Sequence, residues 1–158
     1  MELQVGIFLL LLLLPLLACG TGLCRQSWER LYCEAELRDT GRYMLTRMEK
    51  DVGLYAATVT IKRSSSPGRR FIEIQTLESR RVIRIYCEGQ RLYRKILTNA
   101  GSGNNPLYVN GLLVEQWQVA RADDHSLVVS FELQKGRHKQ SFKQLLHCYN
   151  GVVVDEVG

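Results

Sequence analysis

The sequence predicts an all-β protein: about ten short antiparallel strands in a single barrel, sandwich or trefoil-like domain with two disulfides. Three observations carry this expectation. Apolar and polar residues alternate with a period of two through most of the chain, the pattern of strands with one buried face. Turn residues interrupt the alternation at short intervals. After the first residues, no segment reads as a long helix.

The chain begins with an apolar leader. Residues 7–17 are almost wholly Leu, Ile and Phe, broken by Pro15, and Ala18-Cys19-Gly20 supplies the small residues a signal peptidase accepts. Residues 1–22 are therefore read as a removed signal peptide and 23–158 as one secreted domain. The competing reading is an uncleaved anchor helix, against which stands an apolar run too short to span a bilayer comfortably. No Lys or Arg precedes that run.

Each strand has its own signature. Residues 31–37 alternate Leu31, Cys33, Ala35 and Leu37 with Tyr32, Glu34 and Glu36, and residues 43–49 return after a turn at Asp39-Thr40-Gly41. Residues 55–62 place Ala57, Val59 and Ile61 on one face, and residues 71–77 do the same with Ile72 and Ile74. In residues 80–88, Ile83, Ile85 and Cys87 oppose Arg80, Val82, Arg84 and Tyr86, and residues 92–98 pair back onto them. Residues 99–106, rich in Gly and Asn, read as a loop, and Asn110-Gly111 as a two-residue hairpin turn. Residues 113–120 and 127–133 form the next two strands. A basic turn at 134–139 leads into residues 141–149, and Asn150-Gly151 repeats the hairpin signal before a last strand at 152–154.

Loss of the leader discards Cys19 and leaves Cys24, Cys33, Cys87 and Cys148, an even set that in a secreted chain implies two disulfides. Cys87–Cys148 with Cys24–Cys33 is the preferred pairing, and Cys33–Cys87 its main rival. No zinc site is expected, because there is no Cys-x-x-Cys and no histidine cluster. Asp123-Asp124-His125-Ser126 holds the residue types of a hydrolase, but contiguous residues cannot align nucleophile, base and acid, so the segment reads as a polar turn. With three histidines and no convergent carboxylates, neither enzyme activity nor a cofactor is expected.

The charge is the more informative feature. The chain carries 21 cations and 16 acids; without Glu2 of the leader, 21 against 15 leaves +6. Arg80, Arg84, Arg91, Arg94 and Lys95, and then Lys135, Arg137 and Lys139, are predicted to gather on outward strand faces, with Arg84 beside Arg94. Like charges so placed are unfavourable unless an anion bridges them. The expected function is that of a secreted, cytokine-like or receptor-ligand-like interaction protein. It would bind an extracellular or cell-surface protein, with heparin-like sulfated glycosaminoglycan as a second ligand and no nucleic acid. The alternatives are a lipocalin-type barrel carrying a small apolar ligand, and a secreted hydrolase.

Overall fold

The computed structural model describes residues 2–63, 70–78, 81–107 and 111–156. Among the described residues the fold is mixed rather than all-β: one long helix and nine strands in two sheets, with no closed barrel. The helix, α1, spans Glu2–Gly53. Residues 1–35 and 36–158 form separate compact units, so the end of α1 belongs to the β domain.

The predicted strands at 31–37 and 43–49 are therefore helix. The winning pattern is the longer one: Leu37, Gly41, Met44, Leu45, Met48 and Val52 are buried and recur at three- and four-residue spacing. The two-residue alternation of 31–37 is a coincidence within a segment rich in Glu, Leu, Arg and Ala, all good helix formers. Gly41 is not a turn residue. A Cβ there would lie 2.1–2.5 Å from ring carbons of Phe142, so the absent side chain lets the helix approach the sheet.

Six strands form one sheet: β1 (Ala56–Arg63), β2 (Arg70–Thr76), β3 (Arg81–Glu88), β4 (Arg91–Thr98), β5 (Gly101–Pro106) and β9 (Val152–Asp155), in the order β5-β4-β3-β2-β1-β9. The other sheet is β6 (Leu113–Asp123), β7 (Ser126–Lys135) and β8 (His138–His147), in that order. The expected loop at 99–106 is largely β5, an exposed edge strand paired with Tyr93 to Thr98. Residues 108–110 of the first predicted hairpin lie outside the described residues; the strands flanking it, β5 and β6, belong to different sheets. Asn150-Gly151 is no hairpin either. It carries the chain from β8 across to β9, which lies parallel to β1. A Cβ on Gly151 would sit 2.1 Å from the Ala57 carbonyl oxygen, so only glycine permits that crossing.

One apolar cluster unites these elements. Val59, Ile61, Ile72, Ile74, Ile83 and Ile85 of the larger sheet join Val119, Leu127, Val129, Phe131 and Leu133 of the smaller, together with Met44, Met48 and Val52 of α1. Trp117 Nε1 donates to the Arg70 carbonyl at 2.9 Å and stitches β6 to β2, and backbone bonds from Cys148 to His125 and from Val153 to Asp124 close the opposite corner. No disulfide takes part: no two of Cys19, Cys24, Cys33, Cys87 and Cys148 lie at disulfide distance. Cys24 and Cys33 are on α1, and Cys148 is buried against the Ala56 carbonyl. Of the cysteines that the sequence pattern places on apolar strand faces, Cys148 is buried and Cys87 half-buried, as suits a thiol behaving as a small hydrophobe, while Cys33 is a half-buried residue of α1.

Glycine ordinarily destabilises a helix by about 1 kcal/mol relative to alanine. At position 41 the sign is expected to reverse: Gly41→Ala should lower stability in the native background and raise it in a Phe142→Ala background. Gly151→Ala should cost about 1–3 kcal/mol by forcing β9 from β1. Chemical denaturation of the native protein, of Gly41→Ala, Phe142→Ala and their double variant, and of Gly151→Ala measures both.

Candidate interaction surface

The predicted basic residues do not converge. Arg80 lies outside the described residues. Gly89 and Gln90 form a two-residue turn with φ of 55° and 60°. That turn sets Glu88 opposite Arg91 and Arg84 opposite Lys95. Arg94 is thus one residue out of the expected register and faces the core, because a one-residue slip moves a side chain to the other face. It is 3% exposed and forks onto Asp51, which is fully buried in the last turn of α1, with Nε to Oδ2 at 2.6 Å and Nη2 to Oδ1 at 2.9 Å.

Most of the other cations also serve the fold. Arg84 and Lys62 hold Glu73 from either side, at 2.6 and 2.9 Å. Lys135 pairs with Glu36 of α1, and Lys139 lies between Glu115 and Glu132 at 2.7 and 3.0 Å. Arg91 is exposed at the end of β4. Among the described residues, no acid lies within ion-pair reach of Lys95 or Arg137. Arg84, Arg91, Arg94 and Lys95 are on the larger sheet, and Lys135, Arg137 and Lys139 belong to the β7–β8 hairpin of the smaller. A sequence shows its cations without showing which acids folding brings beside them.

The Asp123–Ser126 segment gains a partner that the sequence did not supply. Ser126 Oγ lies 2.8 Å from Nδ1 of His147, on β8. Asp123 accepts the His125 backbone N–H at 2.7 Å, and chiefly through that bond its carboxyl is held below its ordinary value, with Ser126 and the nearby histidines adding to the effect. Ser126 is nevertheless 1% exposed, so its hydroxyl meets no substrate. The group fastens the start of β7 to the end of β8. Burial pushes the Cys148 thiol up, against smaller opposing effects of the Asn150 and Gly151 amides, which makes it a poor nucleophile. No three metal-binding side chains gather among the described residues.

A different arginine stands out. Among the described residues, Arg81 Nε is the one buried side-chain polar atom without a hydrogen-bond partner. Arg81 lines a cleft of about 590 Å³ with Gln75, Thr76, Val82, Leu97 and Asn99, and a second of about 190 Å³ with Tyr55, Leu77 and Ile83. The site is built by backbone bonds. Leu77 N donates to the Tyr55 carbonyl at 2.9 Å, Arg81 N to the Glu78 carbonyl at 3.1 Å, and the Thr76 hydroxyl reaches the Arg81 carbonyl at 2.8 Å. These bonds leave Tyr55 and Leu77 exposed beside the guanidinium, with Leu54 next to them. Nothing in the local sequence distinguishes Arg81 from its neighbours, because the cleft is assembled from three separate stretches of chain.

Burial opposes ionisation of Glu73, but the bonds from Lys62 and Arg84 outweigh it and hold its carboxyl below the ordinary value of 4.5. A lowered carboxylate stabilises the fold above that value, and the gain is lost as pH falls through the lower folded value. The bond to Glu73 likewise raises Lys62, whose contribution is complete below 10.5 and lost as pH rises beyond its raised folded value. Glu73→Gln should therefore flatten the stability profile at both ends, as read from urea denaturation across pH, while leaving its shape near neutrality unchanged.

No family model, curated protein or solved structure matches this chain.

Proposed function

We propose that the β domain is a protein-interaction module whose contact site is the Arg81 cleft, and that its partner presents a carboxylate beside an apolar side chain. The observation that carries this reading is the unpartnered Arg81 Nε, set beside exposed Tyr55 and Leu77. A buried polar atom without a partner costs about 1–3 kcal/mol, and a carboxylate forking onto Nε and a terminal Nη, with the Arg81 side chain turning into the cleft, would recover it. Arginine and tyrosine at the edge of a cleft with an apolar neighbour have the composition of an interface hot spot. The net charge of +5 favours the same acidic partner.

This keeps the expected class of function and moves its site. A surface centred on Arg84 and Arg94 has little support, since Glu73 and Asp51 already neutralise those residues. A sulfated polysaccharide would have to rely on cations such as Lys95 and Arg137, which lie on different sheets. The carrier reading loses its architectural basis, because the nine strands build two sheets and no barrel.

The probe is an acetylated seven-residue peptide with a central Glu between leucines, followed by amide NMR. Saturable shifts are expected at residues 55, 76–78, 81 and 97–99. Binding should weaken at least several-fold when the peptide Glu becomes Gln, and Arg81→Met should abolish it without changing the protein's melting temperature by more than a few degrees. Shifts indifferent to Arg81→Met would remove the cleft as the contact. Heparin retention beyond physiological salt, lost on neutralising Lys95 and Arg137, would favour the polysaccharide instead.

A further inference from the structure

Residues 3–24 contain no Asp, Glu, Lys, Arg or His. They lie within α1, which continues unbroken past the expected cleavage region to Gly53. At 1.5 Å per residue this uncharged stretch is about 33 Å long, against about 30 Å for the hydrocarbon core of a bilayer. The leucine run alone is shorter, but the span ends at the first charge, not at the last leucine. Leu9 to Leu14, Leu16 and Leu17 are all exposed, so this part of the helix is apolar with nothing described to cover it. The Thr21 hydroxyl donates to the Ala18 carbonyl at 3.0 Å, which satisfies it within the helix.

The residues just after this stretch have the character of a membrane boundary. Trp28 and Tyr32, 74% and 66% exposed, share one face at four-residue spacing just beyond Cys24. Amphipathic aromatics are enriched at that level of the bilayer. Arg25 and Arg30, each paired at 2.9 Å with a glutamate one turn on, stand beside them, and Arg38 and Arg42 come later along the helix. Positions 1 and 2, ahead of the stretch, are Met and Glu. Topology depends on the distribution of Lys and Arg near the ends of a span, with acids contributing little, and the richer flank stays in the cytoplasm. No disulfide joins Cys33, Cys87 and Cys148, which fits the same side, since reducing compartments disfavour disulfides.

We propose that residues 3–24 are an uncleaved anchor crossing a lipid bilayer, with the cations after Cys24 holding the β domain on the cytoplasmic side. This does not depend on the Arg81 reading.

The chain has no Asn-x-Ser/Thr sequon, which makes glycosylation a clean reporter. Pro106→Thr creates one at Asn104, on the exposed edge strand β5, where a threonine fits. In secretory-competent cells the full-length P106T protein should resist alkaline extraction from membranes, retain its N-terminal residues by mass, and carry no glycan. Adding Glu2→Lys, Gln4→Lys, Arg25→Gln, Arg30→Gln, Arg38→Gln and Arg42→Gln reverses the flanking charge, and the P106T sequon should then become glycosylated. A glycan on P106T with native flanks, an N-terminus beginning near residue 20, or release by alkali would each overturn the proposal.

Discussion

The fold depends on one buried charge pair. Asp51 sits in the last turn of α1, where the helix dipole is unfavourable to an acid. It is fully buried, so it needs a cation, and the cation comes from the middle of β4. The fork of Arg94 onto both carboxylate oxygens fixes distance and angle together, as a lysine could not. With that contact set, Met44, Met48 and Val52 fall into the apolar cluster and Gly41 comes against Phe142. A pair of this kind need not be more stabilising than an apolar replacement, but one member without the other leaves a buried charge. It specifies how the helix seats on the sheet.

The same pairing logic governs the surface. A basic chain does not present its cations freely. Glu73, Glu36, Glu115 and Glu132 each take up lysines or arginines that the strand pattern would turn outward. The larger sheet keeps an outer face crossed by Lys62, Glu73, Arg84 and Lys95 on adjacent strands, with Tyr86 stacked on Tyr93 at 5.5 Å. Glu73 satisfies Lys62 and Arg84 in this row, while Lys95 has no acid within ion-pair reach among the described residues. The buried side-chain atom left without a partner among the described residues, Arg81 Nε, is at the end of the sheet where β3 begins, and Arg81 borders an open cleft there.

Much of the sheet structure is legible from alternation. Strands at 56–63, 70–76, 81–88, 91–98, 126–135 and 138–147 agree closely with the expected segments, because each buries one face. The helix was hidden by a local rhythm: Leu31, Cys33, Ala35 and Leu37 alternate, while the spacing that matters begins at Leu37 and extends to Val52. The register of Arg84 was within reach. A two-residue turn at Gly89-Gln90 forces it opposite Lys95 and leaves Arg94 on the apolar face between Leu92 and Ile96. Disulfides were inferred from a secretory reading of the leader, and fall with the geometry of the five thiols. The Arg81 cleft and the Ser126–His147 contact were not legible, since both join segments far apart in sequence.

A double-mutant cycle on Asp51 and Arg94 tests the central role of this pair most directly. Asp51→Ala and Arg94→Ala should each lower unfolding free energy by about 3–5 kcal/mol. The double variant should cost no more than about 1 kcal/mol beyond either, giving a coupling energy of about 2–4 kcal/mol. Effects that add within about 0.5 kcal/mol would mean that the two side chains act independently, and would contradict the dependence of the fold on their contact.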